Sequence, residues 1–144
     1  MSYFDREQIA NALLALLTGA GTPWRVSGRL WRTWTDVRVY PALLLRDGDE
    51  KWIAPRPNEL RRQVVLEFEA WVYAAKPGVD TTPATGLNRA IAAVDTALIA
   101  GPVTSLVTLG GLVRHCWIEG ELVKDTGEYS GQPTAMVPIK VLVI

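Results

Sequence analysis

Hydrophobic and polar positions along this chain repeat with two periods, and the changes of period mark out its elements. From Asp5 to Leu17 the residues Ile9, Leu13, Leu16 and Leu17 recur at helical spacing, with Asp5 placed to cap the first turn. Gly19, Gly21 and Pro23 end that helix. A second helix is predicted over Gly86–Ile99, where Leu87, Ile91, Val94 and Leu98 share a stripe, and Gly101-Pro102 closes it. Elsewhere the period is two. Arg62–Ala75 gives the clearest strand: Val64, Leu66, Phe68, Ala70 and Val72 fall on one face, and Val65, Glu67, Glu69, Trp71 and Tyr73 on the other.

Four further strands, with the loops between them, complete the pattern. Trp24–Trp34, rich in Arg and Trp, reads as an irregular strand, and Tyr40–Arg46, with its Ala-Leu-Leu-Leu run, as a buried one. Asp47–Pro57 carries Asp-Gly-Asp-Glu and two prolines, which is turn chemistry, so a long polar loop is expected there. Lys76–Thr85, with Pro77, Gly78 and Pro83, is expected to be a second loop. Leu112–Lys124 reads as one long strand with Leu112, Cys116, Ile118 and Leu122 on its apolar face and His115, Trp117, Glu119, Glu121 and Val123 opposite. A turn over Asp125–Gly131 leads to a last, nearly continuous apolar strand, Thr134–Ile144, in which Pro138 belongs at an edge or a bulge. The expected fold is a single α+β domain over residues 1–144. It has a mainly antiparallel sheet, two helices on one face and the order α-β-β-β-α-β-β.

Composition narrows the function classes. With 144 residues, 49% of them hydrophobic and 21% charged, the chain can bury a real core. Its zero net charge gives no general pull toward nucleic acid or membrane, and no apolar stretch is long enough for a spanning helix. The N-terminus lacks the apolar core of a secretory signal, and the lone Cys116 suits a reducing compartment, so a cytosolic product is expected. The charge is uneven. Residues 1–62 hold ten bases and seven acids, and the remainder five bases and eight acids, a split compatible with head-to-tail association.

Catalytic constellations are hard to assemble from these residues, and the chain is not expected to be an enzyme or to need a cofactor. The single histidine, His115, neighbours Cys116, and adjacent strand residues point to opposite faces. A metal held by His115, Glu119 and Glu121 is disfavoured, because i and i+4 on a strand lie about 13 Å apart. No phosphate-binding glycine spacing is present, and single-stranded nucleic acid on the Arg and Trp residues of 24–62 is a weaker reading, given the acids among them. The feature that asks for a partner is the second face of the two long strands. Glu67, Glu69, Trp71, Tyr73, Trp117, Glu119 and Glu121 would stand uncovered there, as a subunit interface or a channel lining. The polar loop, with Asp47, Gly48, Asp49, Glu50, Lys51 and Trp52, is a candidate docking loop.

Three segments carry a family resemblance. They are Thr108–Glu121 with Asp125-Thr126-Gly127 and the closing strand Ala135–Val143, the first helix ending in Thr18-Gly19, and the stretch Trp34–Leu45. In these the chain resembles tail terminator-like proteins of tailed phages and prophages, relatives in the broad sense of minor tail protein U of lambdoid phages. The resemblance covers most of the chain as a pattern of elements and includes no catalytic signature. It implies a compact α+β subunit that forms a ring, usually hexameric, on the head-proximal end of the tail tube. Such a ring stops tube polymerisation and offers a surface to the head–tail connector, while DNA passes through without sequence-specific binding. Expected partners are therefore the chain itself, the tail tube protein and the neck. The expected location is the virion tail, after assembly in the host cytoplasm. The alternatives are another neck or tail-completion protein or, in a different class, a small ligand-binding module or enzyme.

Overall fold

In a computed structural model that describes residues 4–32, 37–58, 62–76, 82, 84–99, 106–127 and 131–143, the chain forms two helices and one mixed sheet of six strands. The order is α1 (Arg6–Leu17), β1 (Val26–Gly28), β2 (Ala42–Ile53), β3 (Gln63–Tyr73), α2 (Ala84–Ala97), β4 (His115–Ile118), β5 (Val123–Asp125) and β6 (Thr134–Leu142). This is the α+β arrangement expected from the sequence, with one predicted strand divided in two. In space the strands run β1-β2-β3-β6-β4, and β5 shares with β4 the outer edge of β6. All pairings are antiparallel except β1 with β2.

One face of the sheet takes both helices. From β3 come Val64, Leu66, Phe68, Ala70 and Val72, and from β6 Ala135, Val137, Ile139 and Val141, all buried. Against them pack Ile9, Leu13 and Leu17 of α1 and Leu87, Ala90 and Val94 of α2. Each fully buried Leu, Ile or Phe contributes on the order of 1.5–3 kcal/mol, so this layer holds the fold. Asp5 caps α1 as expected, its carboxylate accepting from the Glu7 and Gln8 amides at 3.0 and 3.1 Å.

Three expectations need correction. The segment Asp47–Ile53 is not a loop but the second half of β2, paired through Lys51↔Val65 to Ile53↔Gln63. The extra residue responsible for the turn-like look is a β-bulge, where the register slips between Asp47 and Glu50. There Gly48 lies so near β3 that a Cβ would stand 2.9 Å from the Glu67 carbonyl oxygen. Alternation gave no strand signal because every residue from Arg46 to Ile53 is exposed, with no apolar face to mark. Second, the strand read over Trp24–Trp34 shrinks to Val26–Gly28, and it pairs parallel with β2, not antiparallel. Trp34 itself lies outside the described residues, as do most of the predicted Lys76–Thr85 loop and the Gly101-Pro102 stop.

Third, Leu112–Lys124 is two short strands and not one. Leu112–Arg114 belong to a turn in which Leu109, Gly110 and Gly111 all have positive φ. The strand breaks again after Ile118, since Ile118 pairs with Ile139 and Val123 with Met136. Four residues, Glu119–Leu122, therefore stand opposite only Val137 and Pro138. Pro138 accounts for the break. Its carbonyl accepts from the Glu119 amide at 3.3 Å, so the side on which it lacks an N–H faces β4 and β5, and ladder pairing there is lost. Gly120, at φ 125°, fills the gap over the proline ring, where a Cβ would meet the ring Cγ at 3.2 Å. Pro138, expected at an edge or a bulge, thus sits on an interior strand, in register with Glu69 on one side and at a lapse of pairing on the other.

A candidate interaction face on the open side of the sheet

Register fixes what the sheet presents on the side away from the helices. Across β2, β3 and β6, side by side, run Ala42, Tyr73 and Thr134, then Leu44, Trp71 and Met136, then Arg46, Glu69 and Pro138. Beyond the bulge, Glu67 neighbours Lys140 and Trp117, and Lys51 neighbours Val65, Leu142 and His115. The face thus runs from an apolar end through a charged middle to a mixed end.

The apolar end is covered. Tyr73 is 1% exposed and forms a second small core with Val37, Ala42 and Leu44, flanked by Tyr40 and Trp71. Its hydroxyl donates to the Arg32 carbonyl at 2.8 Å, and burial pushes the phenol up to about 12. Trp31 lies edge-on to Trp71 with ring centroids 5.5 Å apart, and the Arg46 guanidinium stands over Trp31. Of the residues expected to form an uncovered interface, Tyr73 is therefore withdrawn and Trp71 is half-buried. Trp31, Arg32, Val37 and Tyr40, from the described parts of the connection between β1 and β2, lie over them, because an aromatic pair on an otherwise bare sheet gains from any apolar cover.

The charged middle is open. It forms a trough of about 580 Å³ with Asp47, Asp49, Glu67, Glu69, Glu119 and Glu121 on its walls. Arg46 and Lys140 are the bases that line it, and Met136 and Pro138 contribute apolar surface. Lys140 is its hub, 2.7 Å from Glu119 and 3.8 Å from Glu67, while Arg46 stands 3.8 Å from Glu69. The Lys140 ammonium, followed by the Trp117 indole N–H, holds the Glu119 carboxyl below its usual value, and Glu119 raises Lys140 in return. Asp49 and Glu121 have no Lys or Arg within ion-pair distance among the described residues. Because Glu119–Leu122 form a break and not an alternating strand, Glu119 and Glu121 reach the trough from its rim.

Trp117, half-buried, stacks on His115 with centroids 5.3 Å apart and aims its N–H at Glu119 across 3.4 Å. His115 accepts at Nδ1 from the Val107 amide, while Cys116 points into the core, where burial pushes its thiol up to about 12. The two side chains thus occupy opposite faces. Among the described residues no group of three or more His, Cys, Asp or Glu side chains is arranged to hold a metal ion.

The predicted docking loop is dispersed by its strand geometry. Asp47 turns to the helix side and accepts from Arg29 at 2.9 Å, and Arg29 also reaches Glu7 of α1 at 2.7 Å. Glu50 pairs with Arg6, and the Trp52 indole donates to Glu50 at 3.1 Å. These contacts tie β2 to the start of α1, so removing residues 48–55 would cut half a strand and not spare the fold. Lys140 and Arg46 were missed as site residues. A period-two reading of Thr134, Met136, Pro138 and Lys140 against the buried Ala135, Val137 and Ile139 would have found the first. No helix is long and apolar enough to cross a membrane among the described residues. Scanned against models of known protein families and compared with curated proteins, the sequence finds no match in either.

Proposed function

We propose that this chain is a structural subunit of a phage tail, a tail terminator that assembles as a ring on the head-proximal end of the tail tube. The observation that carries the reading is the open, charged face of the sheet. One subunit covers its apolar end with its own β1–β2 connection and leaves the acidic middle bare. A surface of this kind suits assembly. The resemblance in the first helix, in 34–45 and in 108–143 supplies the particular assembly. In a closed ring each subunit meets its two neighbours through different patches, so an asymmetric surface is what the role demands. The acidic residues have two stations open to them. In the lumen they would repel the phosphates of passing DNA, and at a joint they would meet a neighbour's bases.

The test is tube capping. Tail tube protein is polymerised with and without this chain, and tube length and end structure are read by electron microscopy. Tubes that stop growing and carry a ring on one end are expected. Tubes that elongate unchanged, with no chain bound at their ends, would overturn the reading. A neck protein would instead bind the head connector and leave tube length alone.

A further inference from the structure

The hairpin that joins β2 to β3 outruns the rest of the sheet. The last ladder pair of β3 with β6 is Val65↔Leu142, followed by one hydrogen bond from the Val143 amide to the Val64 carbonyl, while β2 and β3 continue to Ile53↔Gln63. Residues 51–58 and 62–63 are all exposed. Their chemistry is distinctive. From Lys51 to Arg62 the sequence holds four bases and one acid. Trp52 is 46% and Ile53 39% exposed, and the Arg62 guanidinium lies 4.4 Å from the centre of the Trp52 ring. An exposed Trp braced by Arg is the side-chain pairing that anchors protein contacts.

The trough has the complementary character. Six acids line it against two bases; Asp47 is held by Arg29 on the helix side, and both bases are already engaged with Glu67, Glu69 and Glu119. Asp49 and Glu121 are left to attract an outside cation, over a floor that includes Met136 and Pro138. Lys51 is near enough to Glu119 of its own trough to act on it, whereas Arg56 and Arg62 lie past the last rung, Ile53↔Gln63, four residues along β2 from Asp49, so the trough they meet is assigned to another molecule.

We infer that the basic β2–β3 arm of one copy docks in the acidic trough of a second copy, with Arg56 and Arg62 meeting Asp49 and Glu121. This rests on the ring reading and assigns the trough to the joint between subunits, not to the lumen. Arm and trough are different surfaces, so each copy can give one contact and receive another, which is the condition for a closed ring.

The test uses full-length chains and sedimentation velocity over a range of concentration and salt. Wild type is expected to self-associate, more weakly as salt rises. Asp49→Lys with Glu121→Lys in one chain, and Arg56→Glu with Arg62→Glu in another, should each lower the association constant at least about tenfold. Mixing the two reversed chains should restore association, because every arm again finds a trough of opposite sign. Circular dichroism checks folding, and the neutral Glu121→Gln and Arg56→Gln serve if a reversed chain is unfolded. Arg56→Cys in one chain and Glu121→Cys in another should cross-link as mixed pairs on oxidation, with native Cys116 buried and silent. A wild-type chain that stays monomeric to about 1 mM overturns the inference, as does association indifferent to both reversals or not restored by mixing. If arm and trough do pair but the assembly closes at two copies, the inference stands and the ring reading falls. A ring that ignores the reversals has the opposite meaning.

Discussion

Tyr73 and Glu67 occupy the same face of the same strand, six residues apart, yet they live in different surroundings. Tyr73 is sealed under the β1–β2 connection and hydrogen-bonded to its backbone, whereas Glu67 looks onto an open trough. The strand alone does not explain the difference. Apolar Leu44 and Trp71 beside Tyr73 reward a cover, while carboxylates beside Glu67 would lose hydration under one. A single sheet face can thus be half core and half open, charged surface.

The comparison breaks most readily at its closed end. Tyr73→Ala removes the centre of the second core and should cost about 3–5 kcal/mol of stability in urea denaturation. A loss under about 1 kcal/mol would mean that the cover contributes little. Next comes the seam between the ends: Gly48→Ala forces a Cβ against the Glu67 carbonyl and should cost about 1–3 kcal/mol, with a Gly48→Ser variant behaving alike.

Acid should act at the pairs around β2. Arg29 holds Glu7 below its usual 4.5, and Arg6 does the same for Glu50. With folded values depressed, the stability these pairs add is complete above 4.5 and is lost as pH falls through the lowered values. Denaturation near neutrality and again near pH 3 should show that decline, and Arg29→Met should flatten part of it. The smallest effect belongs to the open end. Glu121→Gln should alter stability by less than about 0.5 kcal/mol, since no cation among the described residues holds it. A larger change would show that the trough is part of the fold and not a free surface.

The helices, β3 and β6 were legible because each has one buried face and a clean period. What the sequence concealed lies where that condition fails. The exposed half of β2 has no apolar side to reveal it, and its Asp-Gly-Asp reads as a turn although it is a bulge. Leu112–Lys124 alternates well enough to read as one strand, because the cause of its break, Pro138, sits on a different strand. For the candidate site, Glu67 and Glu69 lie on the strand face where alternation put them, Glu119 and Glu121 line the same trough from a break and not from a strand, and Tyr73 was misplaced because its cover comes from a segment 41 residues away in sequence.

The sheet's margins carry a last consequence. β1 is three residues long, and the far edge is divided into β4 of four residues and β5 of three. Because β1 covers only Ala42–Leu44, the outer side of β2 from Leu45 to Ile53 has no strand partner among the described residues, and the bulge between Asp47 and Glu50 is what interrupts that run of free backbone groups. The charged side chains of Arg46, Asp47, Glu50 and Lys51 flank that interruption, which makes the longest open edge a poor template for unselective strand addition. A bulge that reads in the sequence as a turn thus also acts as a guard on an exposed strand.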